Sequence, residues 1–388
     1  MAPTASSAEL LQAQAELWCH AMAYLRSMAL QSVIKLGIPT AIHRCGGAAS
    51  LSELHAHLPV PASKLPCLSR LMKLLVISGV FGESEAGAYS LTPVSRLLVE
   101  DDAAGGRRAC LSPFAILATS PFHLRSSQRL PEWMEKEDAA AETPFMMAHG
   151  GAGFYGYAGR DLKLGALFNE AMGADGRVVA EVVVGECGEL FAGIASLVDV
   201  GGGDGTMAKA AAKAFPHVRC KVLELPQVAG NMPVGGMVEF VAGDMMEFIP
   251  PADVVLLKQI ILLLQFVLHN WSDEDCVRIL KRAREAISTR EPKGKVVIID
   301  TVAGSVSSKQ AFEAQVLMDI CMMMLTTGEV RDEEKWRGLF VNAARVRWPV
   351  DPCDMRSPDL GGRAREGLGQ GSAGSGVGGG GAASELES

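Results

Sequence analysis

No Cys-x-x-Cys pair occurs anywhere in the chain. The nine cysteines are odd in number and widely spaced, which argues against a disulfide framework or a zinc site and fits a reducing compartment. Positive charge is also scarce. Lys and Arg number 36 against 44 Asp and Glu, a net charge of −8. Such a chain is poorly suited to gripping phosphate backbones, which takes clustered cations. No apolar run reaches the ~20 residues of a membrane-spanning helix; the longest, 254–268, is interrupted by Lys258, Gln259 and Gln265. The N-terminus has no basic segment leading into an apolar one, so no secretory signal is expected. These absences point to a soluble, cytoplasmic protein with no bound metal, no nucleic-acid partner and no membrane partner. What is present is ample core-forming material: 388 residues, 48% hydrophobic and 21% charged, enough for two domains.

Residues 8–36 read as one long helix, because Leu11, Trp18, Met22, Leu25, Ala29, Val33 and Leu36 recur at helical spacing. Further apolar residues lie on its other faces, so the helix is expected to be buried on several sides, in a core or across a dimer interface. Residues 51–100 resemble a winged helix-turn-helix: a short helix capped by Ser52, a second over 63–78, and two strands around the wing 82–87. The second helix carries only Lys64, Arg70 and Lys73 as cations, which favours packing and dimerisation over DNA reading. Residues 125–160 look irregular, and 162–172 helical. From about 196 the rhythm becomes apolar strand, turn, helix, with strands at 196–200, 221–224, 238–241, 253–257 and 295–299. That alternation implies an α/β domain with a parallel sheet covered on both faces. The expected boundaries are 1–115, 116–344 and a Gly-rich tail, 345–388, whose composition predicts disorder.

The sharpest motif is Leu197-Val-Asp-Val-Gly-Gly-Gly-Asp-Gly-Thr206, a strand running into a glycine turn and then a helix. Glycine lets backbone approach a ligand closely. The dinucleotide pattern G-x-G-x-x-G fails at its last position; the spacing is instead Asp199-x-Gly201-x-Gly203-x-Gly205. Glu224 ends the next strand, where a carboxylate can take both ribose hydroxyls. Asp244 and Met245 follow the third strand, placed to flank an adenine. An acidic nucleoside pocket without a phosphate-binding lysine suits S-adenosyl-L-methionine. A second candidate site is Leu268-His-Asn-Trp-Ser-Asp-Glu-Asp-Cys276, where Ser272 and Asp275 resemble a capping box. His269 then stands before a helix N-terminus on the ligand edge of the sheet, suited to act as a general base. Asp300 ends the fifth strand and can orient the imidazole; Glu329 is a second candidate for that role.

These motifs, with Val222-Leu-Glu-Leu-Pro226, Leu256-Leu-Lys258 and the stretch 328–336, resemble the plant small-molecule O-methyltransferases of the caffeic acid and flavonoid type, especially the grass members. The resemblance covers about residues 8–343. It implies a winged-helix dimerisation domain, a Rossmann-like S-adenosylmethionine methyltransferase domain, a homodimer and a small aromatic hydroxyl substrate. It also implies cofactor contacts from Gly201, Glu224, Asp244, Met245 and Lys258, and a substrate lining of Phe168, Met172, Met318 and Met322.

The chain departs from the family in three places. Residues 259–265 are inserted between Lys258 and His269 and are expected to displace the base. The family's further catalytic glutamate aligns with Val330, one position after Glu329. After about 344 a Pro/Arg/Gly-rich tail replaces two terminal strands, so weak stability and weak activity are expected. Three other readings stay open: a nicotinamide dehydrogenase, a metabolite-sensing DNA-binding regulator, and an inactive partner that dimerises with intact relatives.

Overall fold

The computed structural model describes residues 6–100, 110–137, 142–232, 235–258, 268–288, 294–306, 308–344 and, as backbone, 382–387. The chain divides into two units, Met1–Pro121 and Phe122–Ser388.

In the first unit the expected long helix is two helices, Ser7–Ala21 and Tyr24–Lys35. The former opens with a capping box in which Ser6 Oγ accepts from Glu9 N–H and Glu9 accepts from Ser6 N–H. The expectation of burial on several sides fails there. No residue of Ser7–Ala21 is buried within the chain, and Leu10, Leu11, Leu17 and Trp18 are all exposed. The next helix does reach the core through Ala29, Val33 and Ile34. Helix Leu51–His57 is capped by Ser50 rather than Ser52, because Glu53 stands at the third position and closes the box. Helix Leu65–Ile77 buries Leu68, Met72 and Leu75. Strands β1 (Ala48–Ala49), β2 (Phe81–Glu83) and β3 (Tyr89–Leu91) form an antiparallel sheet in the order β1-β3-β2. The unit runs past residue 115 to Pro121. Gln31 Nε2 donates to the Thr119 carbonyl and hydroxyl at 2.9 Å, and Ala115 packs with Ile34 and Leu98.

Around and within the stretch expected to be irregular lie four short helices: Pro121–Ser127, Leu130–Met134, Pro144–Ala148 and Phe154–Ala158. Proline in the first turn, or a capping Thr143, starts the two in the middle. Helix Leu162–Glu186 begins where Asp161 Oδ1 accepts the Lys163 and Leu164 N–H groups at 3.0 Å. It continues well past Met172 despite Gly173 and Gly176, because Ala171, Ala174, Val179, Ala180 and Val183 bury against their surroundings.

The large sheet contains β4 (Ser196–Val200), β5 (Arg219–Glu224), β6 (Val238–Ala242), β7 (Val254–Lys258), β8 (Lys295–Asp300) and β9 (Ala382–Glu387), ordered β6-β5-β4-β7-β8-β9. The first five strands run parallel. Side chains alternate between two cores. Val198, Val200, Val255, Leu257, Val296 and Ile298 face helices Asp273–Ser288 and Glu333–Ala344. Leu197, Val222, Val254, Leu256, Val297 and Ile299 face Leu162–Glu186 and Thr206–Ala214. A parallel sheet covered on both faces results. Its strand order reverses between β4 and β7, which opens a crevice at the carboxyl ends of those strands.

The tail expected to be disordered contains β9, antiparallel to β8 with Asp300 opposite Ala382. Residues 382–387 therefore hydrogen-bond along the edge of β8. Residues 345–381 and the insertion 259–265 lie outside the described residues.

Candidate active site

β4 is buried along its whole length and delivers Asp199 and the glycine turn to the crevice. Gly201, Gly203 and Gly205 have φ of 64°, 59° and 76°, the left-handed region that other residues adopt at a cost. Gly202 is required for a different reason: a Cβ there would lie 2.6 Å from Asp199 Oδ2 and 3.1 Å from Val222 Cγ1. Asp199 is fully buried beneath the turn.

The neighbouring strand ends stand side by side. Gly201 N–H donates to the Leu223 carbonyl at 2.8 Å, and Gly243 N–H to the Glu224 carbonyl at 2.9 Å. The Glu224 carboxylate accepts from Gly203 N–H and Leu225 N–H, each at 3.0 Å. Each oxygen keeps acceptor capacity for a ligand hydroxyl. Burial pushes the Glu224 pKa up, against those two N–H groups. Asp244 opens the turn after β6, its Oδ1 accepting from Met246 N–H at 2.9 Å, and Met245 packs partly buried against the core. Lys258 ends β7 opposite Ile299. Asp199, Gly201, Gly203, Glu224, Asp244, Met245 and Lys258 thus all lie at one edge of the sheet. A glycine cradle with no room for a Cβ, beside a carboxylate with free acceptor capacity, fits a nucleoside cofactor.

On the other side of the crevice, His269 and Asp300 are 1% and 4% exposed, with His269 Nδ1 3.6 Å from Asp300 Oδ1. That is an electrostatic contact, longer than a normal hydrogen bond. Burial pushes the Asp300 pKa up, opposed by His269, by the Thr301 N–H and by Arg331. The expected cap is present: Asp275 N–H donates to Ser272 Oγ at 3.3 Å at the start of Asp273–Ser288. The seven inserted residues do not separate His269 from Asp300.

Two features of this turn escaped the sequence reading. Arg331, 1% exposed, binds the Leu268 carbonyl, the Trp271 carbonyl and Asp273 Oδ1 at 3.2, 2.8 and 2.8 Å. Gly328 lies so close that a Cβ would overlap the His269 carbonyl. Glu329, by contrast, is not turned to His269. Its carboxylate pairs with Lys335 Nζ at 2.5 Å, since the buried positions around it belong to Gly328, Val330 and Arg331.

Of the residues expected to line the substrate, Met172, Met318 and Met322 are buried and Phe168 is half-buried. Phe168 belongs to an aromatic group with Phe154, Tyr155 and Phe145. Helix Pro144–Ala148, which carries Phe145, also contacts Lys309–Leu325, the helix of Met318 and Met322. Tyr155 hydroxyl accepts a hydrogen bond from Asn270 Nδ2, which ties the aromatic group to the His269 turn. These aromatics were missed because their segment has no long hydrophobic period. No group of metal-ligating side chains occurs among the described residues, and none of their helices is long and apolar enough to cross a membrane.

Comparison with known proteins agrees with this geometry. Residues 128–344 match the O-methyltransferase domain family, and residues 18–101 the O-methyltransferase dimerisation domain. A flavonoid O-methyltransferase-like protein of Oryza sativa subsp. japonica is 47% identical over 86% of this chain and 90% of its own. A trans-resveratrol di-O-methyltransferase of Vitis vinifera is 42% identical over 89% and 94%. Among solved structures, CalO1, a methyltransferase in calicheamicin biosynthesis in its SAH-bound form, superposes with a TM-score of 0.68 at 26% identity, covering 88% of this chain and 94% of that one. The chain belongs to the O-methyltransferase family, whose methyl donor is S-adenosyl-L-methionine, and carries that family's dimerisation domain at its N-terminal end.

Proposed function

We propose that this enzyme, a cytoplasmic homodimer, methylates a hydroxyl of a small phenolic or flavonoid-like metabolite, with His269 as general base. The observation that carries the reading is the buried His269–Asp300 pair at 3.6 Å, on the same sheet edge as the glycine cradle. The flavonoid and resveratrol relatives supply the substrate class. The exposed Leu10, Leu11, Leu17 and Trp18 supply an apolar face for a second copy to cover.

Asp300 faces Nδ1 and favours the tautomer that carries its proton there, which leaves the Nε2 lone pair to take a proton. A phenol of ordinary pKa, roughly 10, gives up its proton to Nε2, and the imidazolium is held by the Asp300 carboxylate. The cofactor, when bound, supplies a sulfonium methyl to which the phenolate electron pair forms the new C–O bond as the S–C bond breaks. Phe168, Met172, Met318 and Met322 hold the ring against that geometry, and Glu224 with Gly201 and Gly203 holds the nucleoside.

Transfer of labelled methyl from S-adenosylmethionine to a panel of phenols tests this. His269→Ala is expected to lower kcat by roughly 10²–10⁴-fold while S-adenosylhomocysteine still binds by calorimetry. Undiminished transfer by His269→Ala would remove the base assignment. Residues 259–265 end four positions before the base, and ~1 Å of misplacement can cost 10²-fold. A variant lacking them is expected to turn over faster than the full chain.

A further inference from the structure

Asp300 is held differently from the rest of its strand. Residues 295–299 pair with β7 on one side and with residues 383–387 of β9 on the other. The β7 ladder stops at Lys258, opposite Ile299. Among the described residues, Asp300 is paired by β9 alone, where it stands opposite Ala382. The carboxylate that faces the base therefore belongs to the one position of β8 whose register is set only by the C-terminal strand.

That placement matters because the contact is finely balanced. Asp300 Oδ1 lies 3.6 Å from His269 Nδ1, just beyond hydrogen-bond range, so a few tenths of an ångström at the end of β8 decide whether the two groups bond. The strand that sets this end has little to dock with besides its backbone. Successive residues alternate faces, so Ala382, Ser384 and Leu386 share the face of Val296 and Ile298, and Ala383, Glu385 and Glu387 that of Val297 and Ile299. Leu386 is the only large apolar residue among the six. Glu385, of a type depleted in strands, stands opposite the core residue Val297. The favourable register positions are two: Leu386 opposite Val296, and Glu387 opposite Lys295. Main-chain hydrogen bonds rather than apolar burial carry the docking. Such a strand can leave while the rest of the sheet stays formed.

We propose that β9 is a positioning segment for the base: docked along β8 it fixes Asp300 opposite His269, and released it leaves the cofactor cradle formed but the imidazole unoriented. The cradle is built on the ends of β4, β5 and β6, and β4, the nearest of these, is separated from β9 by both β7 and β8. Release therefore reaches Asp300 before it reaches the cradle. This rests on the assignment of His269 as base and adds what holds its partner in place.

Two adjacent prolines in the full chain, Ser384→Pro with Glu385→Pro, test this. Hydrogen-bonded and non-hydrogen-bonded pairs alternate along an antiparallel ladder, so one of the two prolines removes an N–H directed at β8 in either phase. Hydrogen exchange at alternate β8 amides is expected to quicken, which shows β9 released. Nitrogen NMR of the His269 imidazole is expected to show the share of the Nδ1–H tautomer falling. Labelled-methyl transfer falls roughly 10- to 100-fold in kcat, while S-adenosylhomocysteine affinity, read by calorimetry, is unchanged. A synthetic peptide of residues 380–388, added at millimolar concentration, restores the tautomer and kcat; the same peptide carrying the two prolines restores neither. An unaltered tautomer or kcat despite quickened exchange overturns the proposal. So does unaltered exchange, which means that β9 was not docked, or an equal fall in cofactor affinity, which marks β9 as general support for the fold. A loss that the peptide does not reverse overturns it as well. Absence of the Nδ1–H tautomer in the unaltered chain strikes the base assignment itself, and the proposal with it.

Discussion

On the β4–β5–β6 side of the crevice, the groups suited to the cofactor are mostly backbone, or are fixed by backbone, and all fall within residues 199–245. On the β7–β8 side, the groups suited to the base are buried side chains drawn from residues 268–331. The first side is held by glycines in left-handed conformations and by N–H groups on Glu224. The second is held by Arg331 on two carbonyls and a carboxylate, and by Gly328 against His269. A backbone cradle tolerates little change in shape but needs no distant partner. A side-chain scaffold fails when one distant member is lost. This difference explains why seven residues can be inserted before His269 without parting it from Asp300: the turn is held from its C-terminal side, by residues beyond β8.

Loss of Arg331 is the largest break in that scaffold. Arg331→Gln leaves the Leu268 and Trp271 carbonyls without their charged donor, a cost of about 3–4 kcal/mol in unfolding free energy. Because those carbonyls flank His269, kcat falls more than the affinity for S-adenosylhomocysteine. Chemical denaturation and kinetics together check this. Equal falls in kcat and cofactor affinity would show that the two sides are one mechanical unit.

Next in size is an acid sensitivity within the aromatic group. His123 is buried beside His149, and burial lowers its pKa to about 4. A depressed folded pKa gives stability that is fully present above the unfolded value of about 6.5 and is lost as pH falls through about 4, since the unfolded chain binds the proton more readily. A shift of this size amounts to about 3 kcal/mol over that window. His123→Gln is expected to flatten the dependence of denaturation midpoint on pH between 6.5 and 4. An unchanged slope would place the titration elsewhere.

The cradle is probed by Gly202→Ala. The added Cβ would lie 2.6 Å from a fully buried Asp199 carboxylate, so strand or turn must move, at about 1–3 kcal/mol. Here the prediction reverses that for Arg331: S-adenosylhomocysteine affinity falls first. Retained affinity would mean that the turn is not rigid.

The same contrast decides what could be read from sequence. The glycine turn, Glu224, Asp244 and His269 are local signals: a strand that ends, then a residue type with one use there. The five parallel strands follow from equally local apolar runs, and all five lie where expected within two residues. Arg331 gives no such signal, because its partners are about 60 residues away and a lone arginine usually stays at the surface. The break at residues 22–23 has no Pro or Gly to announce it. Phe145, Phe154 and Tyr155 lie on helices of five residues, too short to show a period. In β9, Ala382–Glu387 lacks the β-branched and aromatic residues of a typical strand, and its place is set by pairing with β8.

The smallest expected effect concerns Glu329, where position in the sequence and geometry part company. One residue of register separates it from the glutamate of the family pattern, and a single step along an extended segment turns a side chain to the opposite face. Here that step puts Val330 inside, with its N–H on Asp319 Oδ1 at 2.9 Å, and leaves Glu329 on Lys335 with both partners more than a third exposed. Exposed pairs of this kind contribute about 0–1 kcal/mol. Glu329→Gln is therefore expected to move the denaturation midpoint little and to leave kcat and its pH profile unchanged. A kcat loss of tenfold or more, with stability intact, would instead show that Glu329 swings to the imidazole during turnover and that Asp300 does not orient it alone.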